Sequence, residues 1–298
     1  MGLSARLLVS GDEERVDAFL EPHTPFAFFM RSNLKKGGVR YEGKPYQSDY
    51  FGVFDSGSLV GVLTHSWISS IQLFADAHSF IPPLAEALRK HRAKQPREIE
   101  CFLGPADQVT FLLSSLGIAP SALREEENKD GEWLFSLALE NMTSPAILKK
   151  PGITVRRACQ ADVDLLTVWR HDFNVESRGF APGQITLDKA QEEISRRIND
   201  SELFILEDRG ERVSFCGVGG FLSDWSCVGP VWTPPEKRNL GYARAITAGA
   251  LQIMHGEGTI NAVLFAHRPD AVRPYRAIGF ERIGDWLLED LVTTVDRL

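Results

Sequence analysis

The sequence has 298 residues, 43% hydrophobic, 10% aromatic and 24% charged, which is the usage of a folded globular protein and excludes disordered, collagenous and coiled-coil classes. At this length two modest domains, each able to bury a core, are expected rather than one. The formal charge of −7, from 33 basic and 40 acidic residues, argues against a general attraction to nucleic acid or to an anionic membrane.

No apolar run approaches the ~20 residues that cross a bilayer, and the opening MGLSARLLVSGDEER reaches its acidic cluster too soon for a signal peptide. Arg6 stands where an N-terminal lipidation pattern requires Ser or Thr, so a cytoplasmic location is expected. Cys101, Cys159, Cys216 and Cys227 form no CxxC pair, and no HExxH spacing occurs. They read as reduced, mostly buried thiols without metal.

Along the first half, RLLVSG reads as a strand, DEERVDAFL and PFAFFMRSNL as helices, and YFGVFDSGSLVGVLTH as a hairpin turning at Asp55-Ser56-Gly57. WISSIQLFA is a third strand, PLAEALRKHRA a helix, EIECFLG a strand, ADQVTFLLSSLG a helix and EWLFSLAL a strand. The polar, proline-bearing NMTSPAILKKPG (141–152) is expected to be a linker between domains at 1–145 and 152–298.

The second half repeats this order. ITVRRA is a strand, Ala161 to Asn174 and Leu187 to Arg197 are helices, and SELFILE and RVSFCGVGGFL form a hairpin at Asp208-Arg209-Gly210. WSCVGPVWT is the third meander strand, Asn239 to His255 a helix, INAVLFA a buried strand, Asp270 to Ala277 a short helix ended by Gly279, and ERIGDWLLEDLV the last strand. Both halves read β-α-α-β-β-β-α-β-α-β, with Gly57 and Gly117 in the first answering Gly210 and Gly279 in the second. An ancient duplication accounts for this.

Chemistry concentrates in Gly229 to Ala248, GPVWTPPEKRNLGYARAITA. A strand runs through a charged turn into an amphipathic helix opened by Arg238-Asn239-Leu240-Gly241-Tyr242-Ala243. Such an opening leaves several main-chain N–H groups without intrahelical partners and adds the positive end of the helix dipole, which suits a pyrophosphate. Gly241 allows close approach, Arg238 adds a permanent cation, and small Ala243 leaves the helix start unobstructed. A Gly and an Arg at a helix start also serve ordinary capping and solubility. Pro230 cannot donate a ladder hydrogen bond and Gly229 weakens pairing, so the strand is disposed to bulge or open there.

TPPEKRNLGYA resembles the R/Q-x-x-G-x-G/A segment of the GNAT acetyltransferase superfamily, and LFAHRPDAVRPYRAIGFERIGDW resembles that superfamily's last motif. The resemblance covers residues 152–298 and reaches the first half through its repeated order of elements. It implies an α/β (α+β) protein of two tandem GNAT-like domains, each a mixed, mostly antiparallel twisted sheet flanked by helices.

It further implies acetyl-CoA as co-substrate, its pantetheine along Val231, Trp232 and Thr233, and its pyrophosphate on the amides of Arg238, Asn239, Leu240, Gly241, Tyr242 and Ala243. Tyr275 matches the family tyrosine that protonates the departing thiolate. Where the family often has an Asn seven residues before this tyrosine, the chain has Arg268, flanked by His267 and Pro269, so that contact is placed in question and a phosphate contact by Arg268 suggested instead. Glu176, in WRHDFNVESRG, falls in the family's substrate loop and is the first candidate for general base, ahead of Asp224 and His171. Trp225, Trp232, Phe180 and Phe221 are candidates to wall a cleft, although aromatic strand residues usually fill cores.

The first half has no Arg-x-x-Gly-x-Ala before its corresponding helix and places Asp76 near the expected anion position, so it reads as a degenerate copy. The expected activity is transfer of an acetyl group from acetyl-CoA to a primary amine of a small or peptide acceptor, by direct attack, without metal, nucleic acid or membrane. The alternatives are a noncatalytic acyl-CoA sensor or interaction protein, and an aminoacyl transferase on the same paired fold. The acceptor and the oligomeric state stay open.

Overall fold

Residues 2–123, 132–178, 186–266 and 269–292 are described by the computed structural model, and in them the expected elements form close to their expected bounds. The first half contains β1 (Ser4–Leu7), α1 (Glu13–Leu20), α2 (Thr24–Gly37), β2 (Ser48–Asp55), β3 (Ser58–Ser66), β4 (Ser70–Ala75), α3 (Ile81–Arg92), β5 (Cys101–Pro105), α4 (Ala106–Leu116) and β6 (Glu132–Ala138). After short 3-10 turns in 139–149 come β7 (Ile153–Arg157), α5 (Val163–Arg178), α6 (Leu187–Asn199), β8 (Leu203–Asp208), β9 (Glu211–Gly219), β10 (Trp225–Trp232), α7 (Tyr242–Gly256), β11 (Asn261–Ala266), α8 (Pro269–Arg276) and β12 (Glu281–Asp290).

The two halves are punctuated alike. Ser56 and Gly57 have φ of 49° and 91°, and Arg209 and Gly210 have 52° and 82°. Positive φ at both central residues is the two-residue hairpin turn whose twist matches the strands it joins. Helices α4 and α8 also end alike. The Gly117 N–H reaches the Ser114 carbonyl and the Ile118 N–H that of Leu113, while Gly279 reaches Arg276 and Phe280 reaches Tyr275. Both endings are left-handed glycine caps that satisfy otherwise orphaned carbonyls.

The chain forms two compact units, Met1–Leu134 with Gly284–Leu298, and Phe135–Ile283. In the first, the strand order is β1-β2-β3-β4-β5-β12, antiparallel except for parallel β4 and β5. In the second it is β6-β11-β10-β9-β8-β7, with β10 and β11 parallel and β10 to β7 antiparallel. Each sheet is therefore mixed and mostly antiparallel. The last strand of the chain completes the first unit, with Trp286 to Asp290 paired to Pro105 to Cys101.

Strand alternation gives the first unit two cores. Phe51, Leu63, Ile71 and Leu73 pack under α3 and α4, while Tyr50, Val62, Phe54 and Phe74 pack under α1 and α2. In the second unit Leu166, Trp169 and Ile194 from α5 and α6 cover Ile205, Phe215 and Trp232. On α7, Gly249 brings the helix so close to β7 that a Cβ there would lie 2.6 Å from Val155.

The four cysteines form no disulfide, but only Cys216 is fully buried; Cys101 and Cys227 are half-buried and Cys159 is exposed. Cys159 is drawn outward because it opens a 3-10 turn, where its N–H donates to Asp162. Among the described residues no helix is long and apolar enough to cross a membrane, and no three His, Cys, Asp or Glu side chains gather as a metal site.

Candidate active site

Strands β10 and β11 pair from Trp225 opposite Asn261 to Val228 opposite Leu264, and then part. On its other edge β10 keeps to β9, but with one extra residue: Val228 faces Val218 and Val231 faces Cys216. The bulge falls on Gly229 and Pro230, joined by a cis peptide, where the sequence predicted an opening. Gly217 makes room for it, since a Cβ there would lie 2.4 Å from the Gly229 carbonyl, which accepts a hydrogen bond from Arg197. Beyond the bulge the Ser214 hydroxyl donates to the Trp232 carbonyl at 2.7 Å, turning that carbonyl toward β9. Alternation then turns the Val231 main chain the other way, toward the gap left by β11. Ser214, a buried hydroxyl on an apolar strand, gave no signal in the sequence.

Past Thr233 the chain makes a 3-10 turn, Pro235–Lys237, and reaches α7 through two left-handed residues, Asn239 with φ 63° and Gly241 with φ 85°. Helix α7 therefore starts at Tyr242, three residues later than the periodicity predicted, because helical backbone excludes positive φ. Among the described residues no main-chain carbonyl accepts from the N–H groups of 239 to 244; the first such bond is from Ala245 to Gly241. A helix start with free donors and the positive end of a dipole is a place for an anion. A Cβ on Gly241 would meet nothing nearer than 3.9 Å, so the glycine serves the backbone conformation and leaves the approach clear. The Tyr242 phenol donates to Asp208 at 2.6 Å, away from the turn. Leu240 is 57% exposed on the turn's outer side.

The structure brings together two predicted residues that the sequence placed in different roles. Arg238 donates to both oxygens of Glu176, at 2.8 and 2.9 Å, and through Nε to the Thr233 carbonyl at 3.0 Å. Its guanidinium lies 4.8 Å from the centre of the Trp232 ring. The other candidate bases stand apart. Asp224 precedes β10 at the end away from the gap, where its carbonyl receives the Ile260 and Asn261 N–H groups. His171 on α5 pairs with neighbouring Asp172 at 3.5 Å. Trp225 begins β10 at its paired end, roughly 20 Å along the strand from Trp232. Trp232 is buried with Phe173 edge-on to it, and Phe221 is half-buried. Phe180, His267 and Arg268 lie outside the described residues.

Tyr275 sits on α8, edge-on to Phe280 at 6.3 Å between ring centres. Tyr275 is half-buried, and the enclosure of its phenol raises it above the ordinary range.

The first unit shows what the same scaffold looks like with these features replaced. Helix α3 opens Ile81-Pro82-Pro83, and prolines carry no N–H, so two donors of that helix start do not exist. Where β4 leaves β5, the Gln108 side chain takes the free edge: its Nε2 donates to the Ala75 carbonyl and its Oε1 accepts from the Ala75 N–H, both at 2.9 Å. Four residues before the helix-ending glycine, where the second unit has Tyr275, the first has Leu113. Exposed Asp76 adds a negative charge beside the same helix.

No protein-family model and no curated protein sequence matches this chain. Solved structures do. A Drosophila protein is 12% identical with a TM-score of 0.67, the match covering 98% of this chain and 99% of that one. A GCN5-related N-acetyltransferase from Sphaerobacter thermophilus is 13% identical with a TM-score of 0.58, covering 99% and 98%. A tandem GNAT protein from the clavulanic acid biosynthesis pathway is 13% identical with a TM-score of 0.54, also covering 99% and 98%. At such identities the likeness speaks to architecture, and with the repeated element order and the parted parallel strands it means that this chain has the GCN5-related N-acetyltransferase fold, in tandem.

Proposed function

We propose that the second sequence half, residues 152–298, carries an acyltransferase site that moves an acetyl group from acetyl-CoA to a primary amine, and that the first half, 1–145, is a degenerate copy without a cofactor site. The carrying observation is that β10 parts from β11 and then runs into a helix start whose N–H groups are free. In this reading Val231 and Thr233, flanking a Trp232 whose main chain is turned to β9, offer main chain to the pantetheine amides, and Asn239 to Arg244 offer their N–H groups to the diphosphate; the Arg238 N–H, expected among them, is instead bonded to the Pro235 carbonyl. The Val231 N–H lies on the gap side, available to the oxyanion that forms when the amine attacks.

The amine nitrogen bonds to the thioester carbonyl carbon, the carbon–sulfur bond breaks, and the leaving thiolate takes the Tyr275 proton. The proton shed by the nitrogen leaves to water, from which Tyr275 is replenished. The products are an amide and free coenzyme A, and no covalent enzyme intermediate is required.

Acetyl-CoA binding followed by calorimetry, and thiol release over a panel of small amines and amine-bearing peptides, test the proposal. Wild-type protein is expected to bind, and Gly241→Glu, which sets a carboxylate before the free N–H groups, to lose binding. Unchanged affinity in that variant would refute the cofactor placement. Tight binding without turnover on any amine would refute the catalytic part.

A further inference from the structure

The fork between Glu176 and Arg238 takes no part in the chemistry above, and we propose that Glu176 is a positioning residue, holding the Arg238 guanidinium on Trp232 so that the turn that follows keeps its amides aimed at a diphosphate. The inference rests on the reading of that turn as the cofactor site. Three contacts fix the guanidinium: Nε to the Thr233 carbonyl at 3.0 Å, the paired bonds to Glu176 at 2.8 and 2.9 Å, and the Trp232 face at 4.8 Å. Thr233 and Arg238 bracket the turn, so these bonds tie its two ends together immediately before left-handed Asn239. Loss of the fork frees Arg238 to swing and lets the next amides wander.

The placement of Glu176 needs such a partner. It lies in the last turn of α5, where the helix dipole favours cations, and Arg238 supplies the cation from another element. Both side chains are about a third exposed, at 34% and 36%, so the pair adds little stability, and what it contributes is direction. A guanidinium edge already forked onto a carboxylate cannot present that edge to phosphate, which leaves the main-chain amides as the diphosphate's ligands and Arg238 as a fixed charge nearby. Both Glu176 oxygens accept from Arg238.

Glu176→Gln keeps the shape and removes the charge. Calorimetry with coenzyme A and initial rates with acetyl-CoA should show Kd and KM rising about three- to tenfold. The loss should fall on KM, with kcat at saturation changing less than about twofold and the acidic limb of the pH–rate profile in place. In an Arg238→Lys background, which cannot form the fork, Glu176→Gln should add nothing further. A drop in kcat with a displaced acidic limb would overturn the proposal in favour of proton transfer by Glu176. Tighter binding would overturn it by showing that Glu176 competes with the diphosphate, and unchanged Kd by showing the pair to be idle. Wild-type protein that binds no coenzyme A overturns the cofactor reading itself, a failure told apart because it appears before any variant is made.

Discussion

Tyr275 carries the sharpest residue-level consequence of the proposed chemistry. Its phenol is raised above the ordinary range chiefly by its enclosure, so its acid form persists where an exposed tyrosine would have ionised. With saturating acetyl-CoA, kcat should therefore hold level through pH 10 on the basic side, and a fall centred near 10 would contradict the assignment. Tyr275→Phe should lower kcat by about tenfold or more and leave KM for acetyl-CoA nearly unchanged. In the first unit, fully buried His65 has its basicity lowered to about 3, mostly by burial, with Arg97 adding to it and a hydrogen bond with the Glu98 carbonyl opposing it. Unfolded, the imidazole takes its proton near pH 6.5, so the unfolded state binds protons first as pH falls and stability is lost from about 6.5 down toward 3. Denaturant titrations should show about 2 kcal/mol lost between pH 7 and 5, and His65→Gln should flatten that slope. An equally steep slope in the variant would contradict it.

Among the elements, helix starts and strand edges separate the second unit from the first. Pro82 and Pro83 delete donors from α3, and Gln108 closes the edge of β4 with its own amide, a side chain standing where the second unit leaves main chain free. Gln108→Ala should destabilise the first unit by about 1–3 kcal/mol, read by urea unfolding, without creating a second acetyl-CoA site. A second site would show that Gln108 alone silences that half. Much of this level was legible in the sequence. The Asp-x-Gly hairpins, the glycine-capped helices and the bulge-prone Gly229-Pro230 each obey a local rule, and each forms. What was not legible depends on distance in the chain: Glu176 and Arg238 are 62 residues apart, and no periodicity announces that their side chains meet. Gln108 was hidden for a related reason, since a polar residue in the first turn of an amphipathic helix reads as solvated until a strand edge is found beside it.

The whole molecule has two copies of one plan and a chain that passes between them twice. Composition and a proline-bearing stretch suggested a cut at 145–152, but pairing of distant strands is invisible to composition. The strand beside β11 is β6, from before that stretch, and the strand beside β5 is β12, from the end of the chain. A fragment of residues 152–298 would lack the first and carry the second without its partner. It should be poorly folded, with a broad, non-cooperative urea transition, whereas the full chain should unfold cooperatively. A fragment as stable and cooperative as the parent would show that strand exchange contributes little.

One measurement reaches the centre of the account: a crystal structure of the full chain with coenzyme A. One molecule per chain is predicted, its diphosphate within hydrogen-bond reach of the N–H groups between Asn239 and Arg244 and its pantetheine in the gap where β11 leaves β10. Coenzyme A bound in the first unit, or in the second with its diphosphate away from that turn, would contradict it.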